Sequence, residues 1–340
     1  MSSKRIGRQT VRFSNPPSVM GYASVVGKKE GDGPLGSRFD FINDDSYFGK
    51  STWEKAESAM LKQGFDLAAD RAGIPPSDIG YVFSGDLLNQ CVGSTFAMRD
   101  SGIPHFGLYG ACSTMTEALS LGAMSVDGGY ADTICAATSS HFCTAERQYR
   151  LPLEYGGQRA PTAQWTVTGA GAVILGAHGT GPYVTYVTTG TIVDAGISDA
   201  NNMGAAMAPS AYETLTAHFA DTGKRPSDYD LIVTGDLGKL GSEILIDLFR
   251  QDGVDISANC TDCGILIFDA EAQDVHCGGS GCGCSAAVLC AYLLPELCAG
   301  RFNNILFAAT GALLSTVTTQ QGESIPGICH AVALSSQADF

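Results

Sequence analysis

The chain has 340 residues, 44% of them hydrophobic, enough for a sizeable core and for either two domains or one large double unit. Twenty lysines and arginines against 35 aspartates and glutamates leave a formal net charge of −15, which argues against a nucleic-acid partner or an anionic-membrane surface. Twelve cysteines with no N-terminal signal peptide suggest reduced thiols in a cytosol-like compartment, and the longest apolar helix candidate, Ser285 to Gly300, is broken by Pro295 and Glu296 short of the roughly 20 residues a membrane span needs.

In chain order, Met1 to Ser46 is basic at first, at Lys4, Arg5, Arg8 and Arg12. It then turns rich in Gly, Pro and Asp, and reads as short strands and a surface loop in which Asp40, Asp44 and Asp45 are solvated, without an EF-hand arrangement. Glu57 to Ala72 is an amphipathic helix stopped by Gly73 and Pro75. Ile79 to Phe83 is a strand between turn signals. Phe106 to Tyr109 is a short apolar run that meets Gly110-Ala111-Cys112, and Ser113 to Val126 follows with small and apolar residues at helical spacing. Asp127-Gly128-Gly129 stops that helix, and Thr133 to Thr138 is the next buried strand. Cys112 therefore falls at a strand-to-helix turn, where a helix dipole favours thiolate, and so a nucleophile or an anion site. The plainer alternative is a small buried hydrophobe.

The chain repeats itself. Pro76-Ser77-Asp78, an apolar strand and Gly85-Asp86-Leu87 recur as Pro226-Ser227-Asp228, a strand and Gly235-Asp236-Leu237, with Ser77 and Ser227 lying 150 residues apart. Ala136-Ala137-Thr138 recurs as Ala308-Ala309-Thr310, an offset of 172 that sets Cys112-Ser113 opposite Cys284-Ser285. Each half then closes on an apolar strand, Ala170 to Leu175 and Ile328 to Leu334. The pattern implies two similar α/β halves, residues 1–182 and 183–340, packed through their duplicated helices, with Cys112 deep where they meet.

A duplicated βαβαβ unit whose first half opens its buried helix with a cysteine resembles the thiolase fold, shared by thiolases and by ketoacyl synthases that start fatty-acid chains. The resemblance covers nearly the whole chain and implies a five-layer α-β-α-β-α arrangement. Within that superfamily, GACSTMTEAL, AATSSHFCTAERQYRLPLEYG, RAPTAQWTVTGAGAV and TTQQGESIPGICHAVAL are similar to the stage V sporulation protein AD family. That resemblance implies dipicolinic acid or its calcium complex as ligand, for uptake into the spore core or release at germination. It also implies the other stage V sporulation A membrane proteins as partners, a peripheral place at the forespore or spore inner membrane, and a homodimer whose contact lies near Thr133 to Thr138. No cofactor is implied.

The initiating condensing enzymes pair their cysteine with a histidine and an asparagine. The matching positions here fall at or beside Gly235 and Gly283, so the resemblance implies that base and oxyanion donor are missing and that the protein is not an enzyme. The alternative kept open is a Cys-dependent acyltransferase acting on acyl-coenzyme A. Cys329, which faintly resembles the second reactive cysteine of a thiolase, lacks the glycines around it.

A flat dianion needs donors on both sides of an apolar slot. The candidates are Cys112 and Ser113 at the helix start, Ser139, Ser140 and His141 at the strand end, and Arg147 and Arg150, whose guanidinium forks match carboxylates. Gln164 and Thr166 offer neutral bonds. Arg147, Arg150 and Arg159 form a basic cluster whose other reading is pairing with Glu146 and Glu154 or holding a dimer loop. Cys260-x-x-Cys263 with Cys277, Cys282 and Cys284 lacks the second spaced pair of a zinc site, so no metal is expected.

Overall fold

The computed structural model describes residues 4–149 and 159–340. The main strands are β1 (Thr10–Arg12), β2 (Ser18–Gly27), β3 (Tyr81–Gly85), β4 (His105–Leu108), β5 (Thr133–Ser140) and β6 (Gly169–Gly176) in the first part of the chain. They are followed by β7 (Tyr183–Thr189), β8 (Leu231–Thr234), β9 (Cys260–Asp262), β10 (Asn304–Ala312) and β11 (Gly327–Ser335). The main helices are α1 (Trp53–Ala72), α2 (Val92–Met98), α3 (Thr114–Asp127), α4 (Phe142–Tyr149), α5 (Met203–Thr222), α6 (Gly238–Gln251) and α7 (Cys282–Val288).

The strands run in the order β9-β8-β10-β11-β7-β2-β6-β5-β3-β4. Within it, β5, β3 and β4 are mutually parallel and β6 is antiparallel to both β5 and β2. The second run repeats this, with β10, β8 and β9 parallel and β11 antiparallel to both β10 and β7. The two runs meet at the pair Ser18 and Tyr183, while β1 lies along β7.

Three apolar layers separate the sheets from their helices. Met60 and Phe65 of α1 pack with Val82 and Ile174 on one outer side, and Met207 and Leu215 of α5 pack with Ile232 and Leu306 on the other. Between the runs, Met115 and Leu119 of α3 and Val288 of α7 meet Phe83, Val173, Val233 and Phe307. The result is helix, sheet, helix, sheet, helix. Each fully buried large side chain contributes about 1.5–3 kcal/mol by leaving water.

Local chemistry sets the ends. Thr52 accepts a hydrogen bond from Lys55 N at 3.4 Å, so α1 starts at Trp53, ahead of the expected Glu57, and Gly73 ends it at φ 66°. The strand expected at Ile79 to Phe83 sits at Tyr81–Gly85, because Pro76–Asp78 first makes a 3-10 turn. Asp40 is not in a solvated loop: it pairs with Arg71 at 2.7 Å and accepts from Ser24 N at 2.7 Å. The strand Thr133–Ser140, near which a dimer contact is expected, is hydrogen-bonded on both sides, and the two ends of the strand order are β4 and β9. No helix among the described residues is long and apolar enough to cross a membrane.

Candidate functional site

Cys112 sits in a 3-10 turn, Ala111–Ser113, between β4 and α3. Ala111 adopts φ 53°, a left-handed conformation that side chains other than glycine rarely hold, so the turn is strained as well as tight. Ser113 N and Ser113 Oγ donate to Gly110 O at 3.2 and 2.7 Å, and Thr114 Oγ1 donates to Ala111 O at 2.6 Å. These bonds freeze the turn that carries the thiol.

Cys112 lines a narrow cavity of about 50 Å³ whose walls include Leu87, Ala145, Tyr149, Thr166, Met203 and Leu314. A wider vestibule of about 390 Å³ adjoins it through Ala111, Tyr149, Ala312 and Leu314, and adds Asn89, Tyr109, Gln148 and Thr316. At the junction, Tyr149 Oη donates to Leu87 O and lies 3.1 Å from Tyr109 Oη. The site is thus a largely apolar slot with Glu146 in its wall and neutral hydrogen-bonding groups at its mouth.

Behind the thiol lies a carboxylate the sequence did not mark. Asp236, fully buried, accepts from Gly281 N at 2.9 Å, Thr310 Oγ1 at 3.1 Å and Ser280 Oγ at 3.2 Å, and its charge acts on the Cys112 thiol. Burial first, and then the Asp236 charge, push the Cys112 thiol well above its ordinary range. This corrects the expectation of a thiolate: the helix dipole is local and modest, whereas desolvation and an adjacent carboxylate both favour the protonated form.

The repeated Gly-Asp-Leu is the one signal that could have pointed to Asp236. Its counterpart Asp86, equally buried, accepts from Leu88 N at 2.8 Å, Ser94 N at 2.7 Å and Ser94 Oγ at 2.8 Å. Beside it, buried Glu57 accepts from Ser139 Oγ at 3.2 Å and Thr144 Oγ1 at 2.7 Å. Burial and the Asp86 charge raise Glu57 to about 8, so its carboxyl is mostly protonated at neutral pH.

The other expected residues divide. Ser113, Ser139 and Ser140 are fully buried, and their hydroxyls serve the protein: Ser140 Oγ donates to Val167 O at 2.6 Å and accepts from Gly283 N at 3.2 Å. His141 Nδ1 accepts from Cys143 N at 3.2 Å, which leaves Nε2–H to donate to Ser46 O at 2.8 Å, and burial lowers its pKa. It borders a separate cleft, with Lys29 and Trp165, and not the cavity at Cys112. Gln164 Nε2 donates to Asp236 O at 2.7 Å and Gly279 O at 2.9 Å. Arg147 pairs with Glu54 and lies over the Trp53 ring, 5.5 Å from its centroid. Arg159 bonds to Asp274 O and lies over Trp165, so these two arginines serve different aromatic partners. Arg150 and Glu154 lie outside the described residues.

The two glycines expected at or beside the condensing-enzyme positions are tightly enclosed. A Cβ on Gly283 would meet Gly169 O at 2.3 Å and Ser140 N at 2.7 Å, and one on Gly235 would meet Ala309 Cα at 3.0 Å. Backbone atoms fill the space a side chain at position 283 would need. Among the described residues no group of three or more His, Cys, Asp or Glu side chains is arranged to hold a metal. Cys263, Cys282 and Cys284 are buried thiols whose pKa values burial raises.

Comparison with known proteins gives two kinds of match. The sequence profile of stage V sporulation protein AD matches residues 7–335. Stage V sporulation protein AD of Bacillus subtilis (strain 168) is 43% identical over 329 residues, which cover 97% of each chain. Among solved structures, 3-oxoacyl-(acyl-carrier-protein) synthase III from Aquifex aeolicus VF5 is similar with a TM-score of 0.58 at 12% identity, over 94% of this chain and 99% of that one. OleA of Xanthomonas campestris is similar with a TM-score of 0.61 at 15% identity, over 95% and 99%. At such identities the structural likeness speaks for the thiolase-like fold alone.

Proposed function

The chain belongs to the stage V sporulation protein AD family, and on that premise we propose that it binds dipicolinate, free or as its calcium complex, in the cleft at Cys112. In this reading it serves the ligand's passage into or out of the spore core and catalyses no reaction. The observation that carries the non-catalytic part is the setting of Cys112, a buried thiol close to the buried Asp236, where burial and the Asp236 charge both raise its pKa. Among the described residues no histidine lines the cavity or its vestibule. A condensing enzyme needs a thiolate and a partner to make it.

The ligand fits the chemistry of the cleft. Dipicolinate is flat, and Leu87, Ala145, Ala312 and Leu314 offer an apolar slot for its ring. Tyr109 and Gln148 offer neutral bonds to a carboxylate at the mouth, which Tyr149 shapes through its bond to Leu87 O. Arg150 directly follows Tyr149 in the chain and is the cation of this reading. With no membrane-crossing helix among the described residues, the protein sits at the spore inner membrane through the other stage V sporulation A proteins. It dimerises through the open edge of β4, where Phe106 is 51% exposed.

Isothermal titration with dipicolinate tests this, with isophthalate, which lacks the ring nitrogen, as control. Selective binding is expected, weakened about tenfold by Arg150→Ala and several-fold by Tyr149→Phe. No heat and no thermal shift with either compound would remove the ligand from the reading.

One observation favours a second reading: the cysteine stands at the inner end of a cleft in a fold shared with 3-oxoacyl synthase III. There the acyl group of a coenzyme A thioester would pass to Cys112 sulfur, the thiol proton leaving with the coenzyme A thiol. Mass spectrometry after incubation with acetyl-coenzyme A decides it, a stable adduct on Cys112 supporting acyl transfer.

A further inference from the structure

Away from the cleft, a groove of about 560 Å³ runs between α1 and α2, with Lys50, Lys55, Lys62 and Arg99 among its lining residues. Lys55, Ala59 and Lys62 follow i, i+4, i+7 spacing on α1, so they share one face over about two turns, roughly 10 Å. Ala59, Val92 and Ala97 give small apolar surface between the cations, and Phe96 stands among them 52% exposed. A lone exposed phenylalanine is ordinary. One that shares its groove with four cations, Arg99 lying over its ring 5.0 Å from the centroid, in a chain of net charge −15, is not.

Two of these four cations are paired in place and two are not. Of the acidic lining residues, Glu54 is taken by Arg147, and Asp100 meets Arg99 at 3.4 Å with both side chains exposed. Lys62 pairs with Asp66 at 2.6 Å. Lys50 and Lys55 make no ion pair among the described residues, and Lys55 Nζ reaches Ser51 Oγ at 3.3 Å.

We propose that this groove docks an acidic amphipathic helix of a partner protein. Carboxylates about two turns apart on that helix meet the lysines along α1, and an apolar side chain between them covers Phe96. A helix is favoured over a lipid surface because the groove is concave and a bilayer is flat, and because the net charge of the whole chain is repelled by anionic headgroups. The inference is independent of the ligand reading.

The test is fluorescence anisotropy of the full chain with a labelled synthetic helical peptide of about 16 residues, carrying leucines at i and i+4 and glutamates one turn to either side. Saturable binding is expected, weakened about tenfold by the double variant Lys50→Glu/Lys55→Glu and by raising salt from about 50 to about 500 mM. Phe96→Ser should weaken it about fivefold by removing the apolar contact. All three positions are exposed, so an unchanged melting temperature shows that the variants fold. Absent binding, or binding that neither variant alters, overturns the proposal. Variant-sensitive sedimentation with phosphatidylglycerol vesicles, with no peptide binding, also overturns it and assigns the groove to a bilayer.

Discussion

Replacing Asp236 with asparagine should make Cys112 more reactive, the opposite of what losing a catalytic partner would do. The thiol now faces two penalties on ionisation, its burial and the Asp236 charge. Asparagine leaves the burial and removes the charge. Two unit charges about 4 Å apart interact by about 4 kcal/mol at an effective dielectric of about 20. If only a third of that survives relaxation, the thiolate population at a given pH rises about tenfold. The assay is iodoacetamide labelling followed by peptide mass spectrometry, with exposed Cys298 as an internal standard for reagent and pH. In the native protein the Cys112 rate should still climb at pH 9, and in Asp236→Asn the same rise should appear at lower pH. Asparagine keeps an acceptor oxygen for some of the donors at Gly281, Ser280 and Thr310, so the fold should survive. Unchanged or slower labelling of Cys112 relative to Cys298, in a protein that still melts cooperatively, would refute the account of the thiol's state.

Gly283→Ala should cost at least about 1–3 kcal/mol, because its Cβ would meet backbone atoms that cannot move aside; a melting temperature equal to the native one would mean that α7 does not sit that close to β5 and β6. Glu57 binds a proton in the folded state up to about pH 8 against an ordinary value of 4.5, so its contribution to stability is present below that lower value and is lost as pH rises through about 8. Melting scans from pH 4.5 to 8 should therefore slope downward, and Glu57→Gln should flatten them; equal slopes would assign the dependence to other groups. The proposed dimer through the β4 edge is expected to give a dimer mass in sedimentation velocity that Phe106→Asp lowers to a monomer, and a dimer unchanged by the variant would place the subunit contact elsewhere.

Much of the framework was legible because local signals dominate it. Thr133 to Thr138 and Ile328 to Leu334 are apolar runs between turn residues, and the structure extends each by one or two residues, to Thr133–Ser140 and Gly327–Ser335. Cys112 was legible as a turn residue for the same reason. Its chemistry was not, because Asp236 reaches it from the other half of the chain and burial leaves no local trace. Tyr149 was missed because nothing in its sequence neighbours sets it above the other tyrosines. The arginine cluster misled in the opposite way, since closeness in sequence did not bring Arg147 and Arg159 to one partner. Strand order also escapes periodicity, so the interior place of Thr133–Ser140 in the sheet was not legible.

The pairing of β1 with β7 sets a timetable for the nascent chain. Thr10 Oγ1 and Thr188 Oγ1 lie 2.9 Å apart across 178 residues. At synthesis rates of about 5–20 residues per second, Thr10–Arg12 waits about 10–35 s for its partner strand to be made. The seam between the two sheet runs therefore closes late on the ribosome. Until then Thr10–Arg12 is a strand without its partner.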